Sequence, residues 1–327
     1  MTSFNLKISL IVQIIISGIL VLSCDSSSPS STDGDNNNDF DAGLFPDELR
    51  GPCPLDQKVG SFEVSILDTY SSIGGYVSEG MVPSNVPKEN MVLDECRLLQ
   101  KMNPECSPAC ESGQTCDLNG ECIPYPQNQN AGAITVKGLQ EKVTMNPLDA
   151  LNYFISVNTH PIFKEGDRIY LTSTDGYAGK LKLYGMGVGA LEVLDDHWML
   201  SRGEPLTINW SPPGVIGKSR ILLNMNIDQH GASPYRVYCD LEDTGSYIIP
   251  AQLIDALIDA GVTGFPNGRL TRRTVDSMQI GASCVEFIVS APVKAAIKVA
   301  GVTPCNSDKD CPGDQTCNMV THLCESG

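Results

Sequence analysis

A chain of 327 residues with 41% hydrophobic side chains can bury one or two modest cores, and its formal charge of −17 limits what can meet its surface. So acidic a chain repels phosphate backbones and anionic lipid surfaces, which excludes nucleic acid and leaves a cation, a basic protein or a neutral glycan as partner.

The chain opens with a short polar region holding one charge, Lys7, followed by an apolar run from Ile8 to Leu22 that stops at Ser23-Cys24. A bilayer core needs about 20 apolar residues, so this shorter run reads as an export signal over 1–23 and not as a membrane span. Val21-Leu22-Ser23-Cys24 resembles the lipobox of bacterial lipoproteins. In that family the thiol is alkylated with diacylglycerol, the signal is cut just before the cysteine, and the new amine is acylated. The resemblance therefore implies lipidation at Cys24, a membrane partner held through that lipid, and an extracytoplasmic place in a bacterial cell envelope. At about 0.8 kcal/mol per buried methylene, two acyl chains suffice for stable anchoring. The same layout also serves an ordinary secretory signal.

Setting Cys24 aside for lipid leaves an even set among the 13 cysteines: Cys53, Cys96, Cys106, Cys110, Cys116, Cys122, Cys239, Cys284, Cys305, Cys311, Cys317 and Cys324. In an exported chain that reads as disulfides with no free thiol.

Residues 24–45 (Asp25 to Asp41 are rich in Ser, Asn and Asp) bury too little to offset their ordering entropy and read as a tether. Asp33, Asp35, Asn37 and Asp39 alternate like calcium ligands, but Asn38 and Leu44 stand where that loop needs Gly and Glu. Over 46–100 a small β region is expected. Ser61 to Leu67 alternates polar and apolar, Ile73 to Val77 returns against it as a hairpin, and Met91 to Leu99 is a third strand. A Cys53–Cys96 bridge would close a long loop, where a cross-link restricts the unfolded chain most.

A module over 101–126 carries Cys106, Cys110, Cys116 and Cys122 with Gly113 and Asn119-Gly120 as turn signals. Residues 303–327 form a second copy in outline: Gly113-Gln114-Thr115-Cys116 returns as Gly313-Asp314-Gln315-Thr316-Cys317. Both resemble the small cysteine-rich modules of extracellular proteins, such as the Dickkopf N-terminal type, and repeats found in uncharacterised bacterial surface lipoproteins. That resemblance implies a disulfide knot and no activity. Zinc would require paired C-x2-C spacing or nearby His, and only His322 is close. Asp308, Asp310 and Asp314 are weak calcium candidates against the plainer reading of solvated turn carboxylates.

Between the modules, 131–302 shows short strand signals at Ile134 to Val136, Tyr153 to Val157, Arg168 to Thr172, Lys180 to Tyr184, Leu206 to Trp210, Ile221 to Ile227, Tyr235 to Leu241 and Val285 to Val289. Turns rich in Gly, Pro, Asp and Asn separate them at sandwich-like intervals, so one or two β-sandwiches are expected. Pro205 to Pro212 resembles the B strand of fibronectin type III and related immunoglobulin-like domains, in which an inward Trp, here Trp210, anchors the core. The fold class implied is mainly β, an immunoglobulin/fibronectin-III-like β-sandwich with one short helix, flanked by small disulfide-rich modules. The helix opens at Pro250: Leu253, Ile254, Leu257 and Ile258 share one face, and Gly261 closes it. Cys239 and Cys284, the cysteines inside this block, are expected to pair.

Catalytic signals are thin. Asp243-Thr244-Gly245-Ser246 matches the aspartic-protease tetrapeptide, but Glu242 precedes it, a second copy is absent, and the same residues suit a wet hairpin turn. Gly185-Met186-Gly187-Val188-Gly189 lacks the spacing of a dinucleotide fingerprint, and His160, His197 and His230 are isolated. The expectation is a non-enzymatic protein without a cofactor that presents its sandwich and disulfide knots for binding, adhesion or a structural role, with a protein or glycan as the ligand where it binds one; the alternative is an exported hydrolase whose site is assembled from distant residues.

Overall fold

The computed structural model describes residues 45–215, 217–228 and 234–326. The signal, the lipobox with Cys24, the tether up to Leu44 and His230 lie outside the described residues. Among the described residues no helix is long and apolar enough to cross a membrane.

In chain order the strands are β1 (Lys58–Ile66), β2 (Ser71–Val77), β3 (Lys88–Leu93), β4 (Cys96–Gln100), β5 (Gln114–Cys116), β6 (Cys122–Pro124), β7 (Ile134–Lys137), β8 (Val143–Met145) and β9 (Asn152–Val157). There follow β10 (Arg168–Ser173), β11 (Lys182–Met186), β12 (Trp198–Leu200), β13 (Leu206–Asn209), β14 (Arg220–Asn226), β15 (Tyr235–Glu242) and β16 (Ser246–Ile249). The helix α1 (Ala251–Asp259) precedes β17 (Asn267–Ile280), β18 (Ser283–Ala295), β19 (Ile297–Val299), β20 (Gln315–Asn318) and β21 (Leu323–Ser326). The described residues are mainly β with one α-helix, as their alternating apolar pattern predicts.

A nine-stranded sheet in the order β3-β4-β15-β14-β17-β18-β1-β2-β9 runs through the whole fold. All its neighbours are antiparallel except β1 and β18, which pair in parallel from Lys58↔Cys284 to Ser65↔Ser290. The expected separate β region over 46–100 is corrected here, because β1 to β4 are members of this sheet. A strand such as β1 buries Phe62 and Val64 on one face, and a two-stranded hairpin could not cover them; β18 on one side and β2 on the other give that face a core. Gly75 sits opposite Phe62, and a Cβ there would lie 2.3 Å from the ring, so the position admits no side chain.

Two cores form on the inner face of the sheet. The first packs Phe62, Val64, Ile73, Val285, Phe287 and Val289 against the four-stranded sheet β11-β10-β7-β8 through Ile134, Val136, Ile169, Leu171 and Leu183. The second packs Leu98, Ile221, Leu223, Val237 and Leu270 against α1 and the paired strands β13-β16 and β12-β19, with Trp198 and Trp210 fully buried. Sheet on sheet in this way is the sandwich arrangement. The helix buries Leu253, Ile254, Leu257 and Ile258, each contributing about 1.5–3 kcal/mol, and Gly261 follows it at φ 125°. Strand β17 joins the halves: β14 pairs only with Asn267 to Arg273, while β18 pairs along Gly268 to Ile280.

Candidate functional site

Strand β17 carries no apolar alternation because its inward positions hold Leu270, Arg272, Thr274, Asp276 and Met278. The charged members of that series build the junction between the halves. Arg272 lies opposite Ile221 and Ala291 and meets Asp243, each side chain 1% exposed. Its Nε donates to Asp243 Oδ2 at 2.6 Å and its Nη2 to Oδ1 at 3.2 Å. Trp210 Nε1 donates to Oδ1 at 2.8 Å and Ser219 Oγ to Oδ2 at 2.6 Å. The guanidinium also donates from Nη1 to the Ala190 carbonyl at 2.7 Å, and from Nη2 to the Ser211 carbonyl.

The wet hairpin tip expected around Asp243 is therefore corrected. β15 pairs with β14 and β4, whereas β16 pairs with β13, so residues 243–245 carry the chain from one sheet to the facing one and turn Asp243 inward at the corner. A buried carboxylate is tolerable only when charged and hydrogen-bonding donors replace water, and here both oxygens are so occupied. The groups bonded to it are an Arg, a Trp and a Ser; the protease chemistry needs a second carboxylate sharing its proton.

Beside this pair a cleft of about 610 Å3 opens between residues 45–52, the 217–220 loop, the end of β15 and Arg273 to Val275 of β17. Its wall mixes Asp47, Glu48, Asp240 and Glu242 with Lys218, Arg220 and Arg273. Asp240 accepts from Arg220 Nε at 2.8 Å and from Arg273 Nη2 at 3.2 Å. The segment 45–52 is clipped at both ends. Phe45 makes edge contacts with Tyr170 and Tyr184, each at 5.6 Å between centroids, with the Arg168 guanidinium 5.3 Å from its ring. Arg50 forks onto Asp276 at 2.8 and 2.6 Å, and that hydrogen bond holds its pKa above the usual arginine value. Asp276, fully buried, also accepts the Tyr184 backbone N–H at 2.9 Å, so it joins β11 to the edge of β17. Glu286, likewise buried, accepts from the Cys53 backbone at 2.7 Å and pairs with Lys58 at 2.5 Å. Sequence reasoning singled out none of Arg272, Asp276 or Glu286; for the first two the available signal was four charged residues, Arg269, Arg272, Arg273 and Asp276, within one strand-length segment.

The bridges differ from expectation at two places. Cys53 pairs with Cys284 and Cys96 with Cys239, in place of Cys53–Cys96 and Cys239–Cys284. Cys96 and Cys239 are directly opposite in the β4–β15 ladder, and the Cys284 N–H donates to the Gln57 carbonyl at 2.8 Å, which brings the start of β18 beside Cys53. Strand register chose the partners, which loop length alone could not. Each module closes on itself in the same order, Cys106–Cys116 with Cys110–Cys122 and Cys305–Cys317 with Cys311–Cys324. Sulfurs of Cys106, Cys110 and Cys122, and of Cys305, Cys311 and Cys324, lie within 4.8 Å of one another, but all are bonded to sulfur and none is a thiolate ligand.

Two of the three calcium candidates serve the backbone. Asp308 accepts the Cys317 N–H at 2.9 Å, and Asp310 accepts the Asn306 and Ser307 N–H groups at 2.9 Å, bonds that lower the Asp310 pKa. Asp314 is exposed in the turn before β20. His160 shares a hydrogen bond with Ser71 at 3.0 Å, and Asp195, near His197, is taken by the Asn209 N–H and side-chain amide.

No family model and no curated protein matches this sequence. Among solved structures, the FN1–FN3 domains of chicken CNTN1 are 8% identical to it, cover 68% of this chain and 71% of their own, and superpose with a TM-score of 0.18.

Proposed function

We propose that this chain is a non-catalytic protein, anchored by lipid at Cys24 outside the cytoplasm of a bacterial cell, that presents its β-sandwich and its two disulfide modules for binding a protein or glycan. The observation that carries the reading is the saturation of Asp243 by Arg272, Trp210 and Ser219, which gives the residue of the protease-like tetrapeptide a structural task. The disulfide-closed modules support it further. They have little core, and such modules in exported proteins hold loops rigid for contact with other molecules. The test has two arms. Protease applied to intact cells should release fragments of the sandwich, and the purified protein should leave an unspecific peptide mixture uncut between about pH 3 and pH 7.

A second reading, an exported hydrolase, is favoured by one observation: Asp47, Glu48 and Glu242 share the cleft with Lys218. Cleavage by the purified protein that is lost in Glu242→Gln would replace the binding reading with this one.

A further inference from the structure

The two modules share more than their bridges. In the first, Asp117 Oδ1 accepts the backbone N–H of Asn119 at 2.9 Å and of Glu121 at 2.8 Å, which holds the turn between β5 and β6. In the second, Asn318 Oδ1 accepts the N–H of Val320 at 2.9 Å and of Thr321 at 3.3 Å between β20 and β21. In each case the residue next after this turn-holding side chain is apolar and points to water: Leu118 is 52% exposed and Met319 is 62% exposed, with Val320 beside it at 84%. Single exposed apolar side chains are ordinary. Two at the same position of two modules, each locked by a side-chain-to-backbone turn and two disulfides, are a repeated presentation.

We infer that Leu118 and Met319-Val320 are paired anchor points for a protein partner whose apolar pockets are rimmed by Lys or Arg; this deepens the binding reading above and rests on it. The charge around the tips selects that partner. Glu105, Glu111, Asp117 and Glu121 are the charged residues from 102 to 126, with no Lys or Arg, and the second module sets Asp308, Asp310, Asp314 and Glu325 against Lys309 alone. An anionic lipid surface or a second copy of this chain would meet these tips with like charge. A rigid apolar side chain entering a pocket supplies the affinity, and the acidic rim supplies orientation and encounter rate.

The experiment replaces Leu118, and separately Met319, with photo-reactive p-azidophenylalanine in the full chain on the cells that make it, with a third probe at Phe154 in the sandwich. The expected result is one common protein captured from both tips, through a segment carrying Lys or Arg. That protein, once purified, should bind Leu118→Ser and Met319→Ser at least about tenfold more weakly than the unaltered chain, and Val92→Ser unchanged. An unaltered disulfide map in each variant shows that the module still folds. Capture of phospholipid only, of another copy only, or of nothing from either tip overturns the inference. Capture from Phe154 but not from the tips also overturns it and leaves the binding reading standing.

Discussion

Arg272 Nε lies 2.6 Å from Asp243 Oδ2, inside the fold where two sheets meet at a corner, and the two side chains are each 1% exposed. The Arg comes from β17 and the Asp from the turn after β15, so their pair ties the shared sheet to the sheet that faces it. Removing one partner of such a pair leaves the other charge buried without its counterpart, which is far costlier than removing both.

Asp243→Asn is therefore expected to destabilise the protein by on the order of 3 kcal/mol, seen as a lower urea midpoint. A wet turn residue would cost no more than about 0.5 kcal/mol, and that smaller value would show that the pair is not buried in solution.

The bridge assignment can be read directly by peptide mapping without reduction. Cys53 should be recovered with Cys284 and Cys96 with Cys239; recovery of Cys53 with Cys96 would contradict the order of strands in the sheet. Cys116→Ser or Cys317→Ser should loosen its own module, at about 2–5 kcal/mol for a native bridge, and leave the sandwich's urea transition in place.

Tyr247 offers a pH test. Its hydroxyl donates to Glu95 Oε2 at 3.2 Å, and burial, that bond and the nearby charges of Glu95 and Asp94 push its pKa up to about 12. The unfolded phenol titrates near 10, so between the two values the folded state keeps a proton that the unfolded chain gives up. The stabilisation from Tyr247 is complete below about pH 10 and is lost as pH rises through about 12. Phenolate absorbance should show a late step that Tyr247→Phe removes; a titration unchanged by the substitution would refute it.

The lipobox resemblance predicts that the protein enters the detergent phase and incorporates labelled palmitate, while Cys24→Ser does neither. Equal labelling of the two would show that Cys24 is not the lipidated residue and overturn the lipobox reading.

Local pattern was enough to place α1, because four apolar residues at helical spacing between Pro250 and Gly261 have one way to be buried. It also placed about half of the strands, since alternation records which face is dry, though it ran β3 and β4 together as one strand and missed β17; and it marked the two modules, since closely spaced cysteines in a polar run must bridge nearby. Beyond the local hairpin of β1 with β2, only the tertiary structure decided which strands pair. β1 finds β18 and β4 finds β15 across long stretches of chain, and the partners of Cys53 and Cys96 follow from that register. The same holds for β17, which reads as polar because its inward Arg272 and Asp276 are matched by Asp243 and Arg50 from elsewhere. A buried charge is legible only together with its counterpart, and sequence keeps the two far apart until folding brings them within hydrogen-bonding distance.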